Sequence, residues 1–522
     1  PDLFAAIAPT YGGWDYRLLP QSPFNNPNAT RPLERVVQET QSSFAGAENL
    51  LNVPIFVHHG DLDAAVSVEF SRHAVRMLDR WGYDLRYQEI PGRGHEDLGL
   101  RDEIVSWLLI HQRNPAPRHV RIRANDLRGA SAHWVRVESW LEPLTTMEVE
   151  AEVVEPGVFR IETKNVGSMT LSPPPELRGT GAPPRVVWNG VEGGADFSGD
   201  GRGLIALATA RPRPGDKSPE LPGGLANFFT TPFAIVIGTA SPDARARRYG
   251  EEKGQALAQM WNKWQHQMPR VFHDTDVTAE LEEKYSLLLI GGAAENSVTE
   301  RLAESLPLEV DAGSVTIDGH RFVATDAFVQ MIRPNPSANG RYVLVIAATS
   351  TNGLYFWDPG VYWDPIFGFL TLRMDWSIVD GRRATLEPGL GADRAWVASG
   401  VFNRSWKLDD SGVFTGDEAL RAASPLRHAP ATAVTVPAAR LDALAGRYQV
   451  FPGFVLVIAR AGNELTLTPP GSPTVPLVAE TDHDFALAAT ANPLSFEFAA
   501  DGRVSGLKVD YAGSAYHATR VP

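Results

Sequence analysis

The spacing of apolar residues changes character near Asn114-Pro115-Ala116-Pro117, and that change limits what this chain can become. Upstream, short apolar runs alternate with helical periodicity. Phe4–Ala8 and Pro54–His58 have the length and content of buried strands. Phe70, Ala74, Met77, Leu78 and Trp81 then recur at helical spacing, Leu85–Ile90 reads as another strand, and Leu100, Ile104, Trp107 and Leu108 share one face of a last helix. Strand–helix–strand order predicts a mostly parallel sheet. Downstream, residues 118–175 alternate with a period of two, as in Met147, Val149, Ala151 and Val153, between turns such as Glu155-Pro156-Gly157. That is the pattern of an antiparallel β-sandwich.

One core does not serve 522 residues, because single cores rarely grow past roughly 250–300. The expected fold class is multidomain α/β plus β. Residues 1–113 form the first α/β segment and 118–224 a sandwich-like domain with Gly/Pro-rich loops. Residues 225–410 form a second, small α/β domain. In it a strand at Ala234–Gly238 precedes a helix carrying Leu257, Met260, Trp261, Trp264 and Met268, and strands follow at Ser286–Ile290 and Arg341–Ala348. Residues 361–410 are an aromatic-rich extension of it. Residues 411–436 read as a linker rich in Ala, Pro, Ser and Thr. The short strands of 437–522 suggest a small β-barrel.

Composition removes several function classes. There is no cysteine, so disulfides, thiolate metal sites and a cysteine nucleophile are excluded. A net charge of −14 argues against nucleic acid or an anionic membrane as the main partner. No apolar run approaches the 18 or more residues of a spanning helix, so no membrane span is expected.

Chemistry concentrates in His58-His59-Gly60-Asp61-Leu62-Asp63-Ala64-Ala65-Val66, which follows a strand and precedes a helix. His95 lies 32 positions beyond Asp63, in Pro91-Gly92-Arg93-Gly94-His95-Glu96, again between a strand and a helix. Loops at the C-terminal ends of parallel strands are where α/β folds place working residues. Adjacent strands would therefore bring a carboxylate and an imidazole to one edge, and the carboxylate could fix the tautomer and stabilise the imidazolium. Taken singly, Asp61 or Asp63 could be a helix cap and His95 an ordinary loop residue. Their acid-then-base order at two strand ends favours function.

Residues 1–113 resemble the C-terminal half of the catalytic domain of the prolyl oligopeptidase family, within the α/β-hydrolase fold. His59-Gly60, Asp63 and Val66 match that family's His-Gly-x-x-Asp-x-x-Val-Pro loop, Gly94-His95 its histidine loop, and Pro1 to Pro9 the strand after the nucleophile helix. Ser67 departs from the usual proline. The nucleophile of this fold sits in Gly-x-Ser-x-Gly, and the triad runs Ser, Asp, His. Only Ser22, Ser42 and Ser43 precede Asp63, none in that context, so the resemblance implies an elbow upstream of Pro1. It further implies a serine hydrolase whose catalytic residues include Asp63 and His95, a peptide or ester substrate, no cofactor, and export to the periplasm or beyond. A carboxylesterase of the same fold, or a pseudo-hydrolase binding a protein or glycan, are the alternatives. The region 225–410, with the sandwich before it, resembles the uncharacterised tail of some large bacterial hydrolases of this family. Residues 437–522, through Leu444-Ala445-Gly446-Arg447-Tyr448 and Asp501-Gly502-Arg503-Val504, resemble a small domain attached to β-lactamase-like proteins.

Other signals are weaker. Gly291-Gly292 after a strand could cradle a phosphate, but no Walker lysine accompanies it. His58, His59, Asp61 and Asp63 could pose as metal ligands, but alternate strand residues face opposite ways. Trp357, Tyr362, Trp363, Phe367 and Phe369 suit a core better than a sugar platform. Asn28-Ala29-Thr30 and Asn403-Arg404-Ser405 fit a glycosylation sequon that arises often by chance.

Overall fold

A computed structural model describes residues 3–15, 42–179, 184–193, 196–198, 201–207, 210–357, 373–383, 396–416, 434–451, 453–470, 474–488, 493–511 and 514–522. The fold is mixed α/β and β, in two compact units. One comprises Pro1–Pro222 with Asn403–Trp406, the other Gly223–Phe402 with Lys407–Pro522.

The first unit opens with β1 (Ile55–Gly60), buried throughout, then α1 (Glu69–Arg80), β2 (Leu85–Ile90) and α2 (Arg101–Leu109). β1 pairs in parallel with β2 on one side, from Ile55↔Leu85 to Gly60↔Ile90. On its other side it meets the segment around Ile7–Tyr11, through parallel bridges Ile7↔Ile55 and Thr10↔His58. The expected strand Phe4–Ala8 is thus displaced toward the C-terminus, and Leu3 and Phe4 are exposed. Proline explains why bridges replace a continuous strand. The ladder runs Ile7 N–H to Pro54 O, Phe56 N–H to Ile7 O, His58 N–H to Pro9 O and Tyr11 N–H to His58 O. Pro9 has no N–H, so the rung it would donate is missing.

Helix α1 places Phe70, Ala74 and Leu78 at four-residue steps against Ile55 and Val57. Burying each large apolar side chain contributes about 1.5–3 kcal/mol. The 3₁₀ helix Ser43–Leu50 ties this sheet to the sandwich: Asn49 exchanges hydrogen bonds with the backbone of Arg123, and Asn52 donates to the His119 carbonyl.

The sandwich has two five-stranded sheets around one core that includes Val120, Trp134, Val149, Phe159 and Met169. Period-two burial is explicit in Met147–Glu155, whose pattern alternates inward and outward.

The second unit contains an eight-stranded mixed sheet. Arg270–His273, Phe233–Ile237, Ser286–Ile290 and Tyr342–Ala348 lie parallel, and Ala327–Pro334, Trp376–Asp380, Trp396–Gly400 and Val413–Thr415 continue it antiparallel. Val413–Thr415 therefore belongs to the sheet, although it falls within the stretch read as linker from 411; residues 417–433 of that stretch are outside the described residues. The long helix is Ala244–Gln265, ended by His266 in the left-handed conformation, so Met268 lies beyond it and is exposed. Strands from Gly446–Phe451 to Ser514–Val521 form a closed eight-stranded antiparallel barrel. The last strand returns to the first through Arg447↔Val521. Leu456, Leu465, Leu494 and Leu507 fill its interior. Among the described residues no helix is long and apolar enough to cross a membrane.

Candidate active site

The site forms where β1 and β2 end. Gly60 closes β1 against the loop after β2, where a Cβ on it would lie 2.4 Å from the Arg93 carbonyl oxygen, so only glycine fits there without movement. Three hydrogen bonds lace the loops together. The Asp61 N–H donates to Ile90 O, the Leu62 N–H to Arg93 O, and the Gly92 N–H to the Asp61 carboxylate at 2.6 Å. Asp61 is thus a strut between loops rather than a helix cap. Its acceptor role suits Gly92, whose φ of 72° lies in the left-handed region.

Asp63 is buried beneath this junction, its side chain wholly inaccessible. Oδ1 accepts the backbone N–H groups of Ala65 and Val66, each at 2.8 Å. Oδ2 lies 2.9 Å from Nδ1 of His95. Burial pushes the Asp63 carboxyl up, but the Val66 N–H, His95 and the Ala65 N–H outweigh it and hold it below the usual carboxylate range. An ionised acceptor assigns the His95 Nδ1 as the protonated nitrogen. Nε2 then carries the lone pair, and among the described residues it makes no hydrogen bond. The imidazole is half-exposed.

His59 supports the acid from behind. Its Nε2 is 2.8 Å from the Val66 carbonyl and 3.4 Å from Asp63 Oδ2, while Nδ1 meets the Ser71 hydroxyl at 2.7 Å. These partners assign Nε2 as donor to the loop and Nδ1 as acceptor from α1. Glu89, the register partner of His59 on β2, is held by Arg72 and by the Tyr87 hydroxyl. Arg72 keeps the Glu89 carboxyl below its ordinary range.

The structure therefore brings Asp63 and His95 together and keeps His58 apart. His58 packs on Phe56, with ring centroids 3.8 Å apart, and burial lowers its pKa. The serines before Asp63 are not at the site: Ser42 donates to the Trp14 carbonyl, Ser43 starts the 3₁₀ helix, and Ser22 is outside the described residues. Two participants escaped the sequence reading. His59 was read as part of the loop motif and as a possible metal ligand, and its role as a prop between Ser71 and the acid loop was not foreseen. Tyr11 lies 4.6 Å from the His95 ring, centroid to centroid, and belongs to no periodic pattern.

The other sequence candidates offer less. Around Gly291-Gly292, the Gly291 N–H is spent on Ile346 O, and Asn296 caps the following helix and also donates to Ile290 O. Trp357 is buried, whereas Tyr362, Trp363, Phe367, Phe369 and the Asn28 sequon lie outside the described residues. No family model matches this chain, and no curated protein matches it.

Proposed function

We propose that residues 1–113 are the C-terminal half of an α/β-hydrolase catalytic domain of the prolyl oligopeptidase type, and that the protein is a serine hydrolase, a peptidase in preference to an esterase. The observation that carries this reading is the 2.9 Å contact between Asp63 Oδ2 and His95 Nδ1, with Nε2 unengaged at the C-terminal edge of parallel strands. A serine supplied by a preceding part of the protein would attack the substrate carbonyl and form a C–O bond while His95 Nε2 takes its proton. Collapse of the tetrahedral species breaks the carbonyl–leaving-group bond, and Nε2 returns the proton to the departing amine or alcohol. Water then attacks the acyl group by the same route, regenerating the serine. Asp63 orients His95 and stabilises its imidazolium. Export to the periplasm or beyond is proposed with this assignment, on the family resemblance.

The test uses protein that includes the residues preceding Pro1 in its reading frame, with a fluorogenic peptide and a short-chain nitrophenyl ester. His95→Ala should lower kcat by about 10⁶-fold, and Asp63→Asn by about 10⁴-fold, as in triads of known order. The 522-residue chain alone should turn over neither substrate. Hydrolysis insensitive to His95→Ala would remove the reading, and turnover by the chain alone that His95→Ala abolishes would place the nucleophile within it.

A further inference from the structure

We propose that Tyr11 is the positioning residue for His95: its ring walls one side of the imidazole and fixes the orientation in which Nδ1 meets Asp63 and Nε2 is presented. The inference rests on the triad reading above and adds a residue to it.

The histidine loop cannot hold the ring by itself. Gly94 precedes His95 and brings no side chain beside it; a Cβ there would make ordinary contact with the Leu62 carbonyl, at 3.7 Å. The imidazole is 47% exposed, and among the described residues its one hydrogen bond is to Asp63, a contact that by itself does not fix the tilt of the ring. Tyr11 supplies the missing constraint. Its ring centroid is 4.6 Å from that of His95 at a 42° tilt, and 5.8 Å from that of His59, edge-on at 87°. One side chain thus touches both the base and the histidine that props the acid loop.

Its backbone is unusual in a way that fits this task. Tyr11 has φ of 56°, the left-handed region in which a bulky L-residue is strained. Glycine would adopt that conformation freely, and two glycines follow immediately, yet the turn places a tyrosine there. The Tyr11 N–H donates to His58 O, anchoring the residue on the edge of β1 opposite β2. From that anchor a left-handed turn directs the ring onto the two imidazoles.

The phenol acts here as a surface. Its hydroxyl is buried and, among the described residues, makes no hydrogen bond. Burial, then the negative charges of Asp63, Asp97 and Glu96, push its titration upward, so it remains neutral and adds no charge beside His95. An aromatic ring also accepts either protonation state of its neighbour, including an imidazolium.

Two variants separate the wall from the hydroxyl. Tyr11→Phe keeps the wall, and Tyr11→Gly removes it, the relief of backbone strain offsetting part of the packing lost. In the 522-residue chain, NMR of the ring protons reads the His95 Nδ1–H without any need for the serine. That resonance should persist in Tyr11→Phe and be lost to exchange with water in Tyr11→Gly. In the catalytically complete protein, Tyr11→Gly should lower kcat by on the order of 10- to 100-fold with KM little changed, as expected for a misplaced base, and Tyr11→Phe should recover most of it. Equal losses in both variants would transfer the role to the hydroxyl and overturn the proposal, as would an unaltered Nδ1–H signal and full activity in Tyr11→Gly. Failure of the triad reading is distinguishable, because His95→Ala would then leave hydrolysis intact whatever Tyr11 does.

Discussion

The first α/β segment and the C-terminal barrel are of similar length and solve the same problem differently. The barrel pairs its last strand with its first, so its backbone groups have partners around the whole circumference. Among the described residues the α/β segment has two parallel strands flanked by the bridged segment Ile7–Tyr11, and nothing pairs with the outer edge of that segment. Leu3, Phe4, Leu109 and Ile110 of this segment are 60–84% exposed, and no residue of α2 is fully buried. The difference teaches where function can sit. A closed barrel this narrow fills its interior with side chains, whereas an open parallel sheet presents strand ends on which loops can converge.

The sharpest way to break this comparison is limited proteolysis of the 522-residue chain. Segment 3–113 should be cleaved first, and a fragment near 434–522 should outlast it by an order of magnitude or more in time, since cleavage follows local opening. A barrel cut before the α/β segment would reverse the ranking. Gly60→Ala comes next in size. Pressing a methyl group against the Arg93 backbone should destabilise the first unit by about 2–3 kcal/mol and displace His95 from Asp63, with the barrel's hydrogen exchange unaltered.

Acid should distinguish the regions less strongly. Asp63 and Glu89 have folded pKa values below their unfolded ones, so their stabilisation is present above roughly pH 4 and is lost as pH falls through the folded values. The lowered carboxyls of the barrel, Asp482 and Asp501, pair with His483 and Arg503 at the surface, where such pairs contribute little. Between pH 5 and 2 the α/β segment should therefore lose exchange protection before the barrel does. Alkali offers no such contrast. Burial raises Tyr448 in the barrel to about 12, and Tyr83 and Tyr87 are also raised, so in each region the tyrosines' contribution to stability is present below roughly pH 10 and is lost above it. The smallest effect is Tyr448→Phe. Its buried hydroxyl donates to the Leu444 carbonyl, and removing it should cost the barrel about 1 kcal/mol in denaturant titration.

What was legible in the sequence follows from which forces are local. Asp63 and His95 could be placed because each follows a recognisable strand, and adjacent parallel strands bring such loops to one edge. The barrel strands were legible from alternation, though their closure depends on pairing across some seventy residues, which alternation does not encode. The strand expected at Phe4–Ala8 lies further along because the apolar run ends at Ala8, whereas pairing depends on the backbone: the Pro9 carbonyl accepts from His58, and Tyr11 continues the ladder. Val413–Thr415 looked like linker because a short edge strand with little burial has no periodic signature. Tyr11 was invisible because no pattern announces a strained residue; its importance lies in what folds against it.

Gly60 has a consequence for motion. With β1 seated directly on the histidine loop, the backbones that carry the acid and the base are held as one block, and the freedom left to the pair is that of the imidazole ring. On the proposed reading, any substrate-linked rearrangement must occur between that block and whatever carries the nucleophile. Turnover would then depend on the seating of the nucleophile against that block rather than on the ordering of the loops that carry the acid and the base.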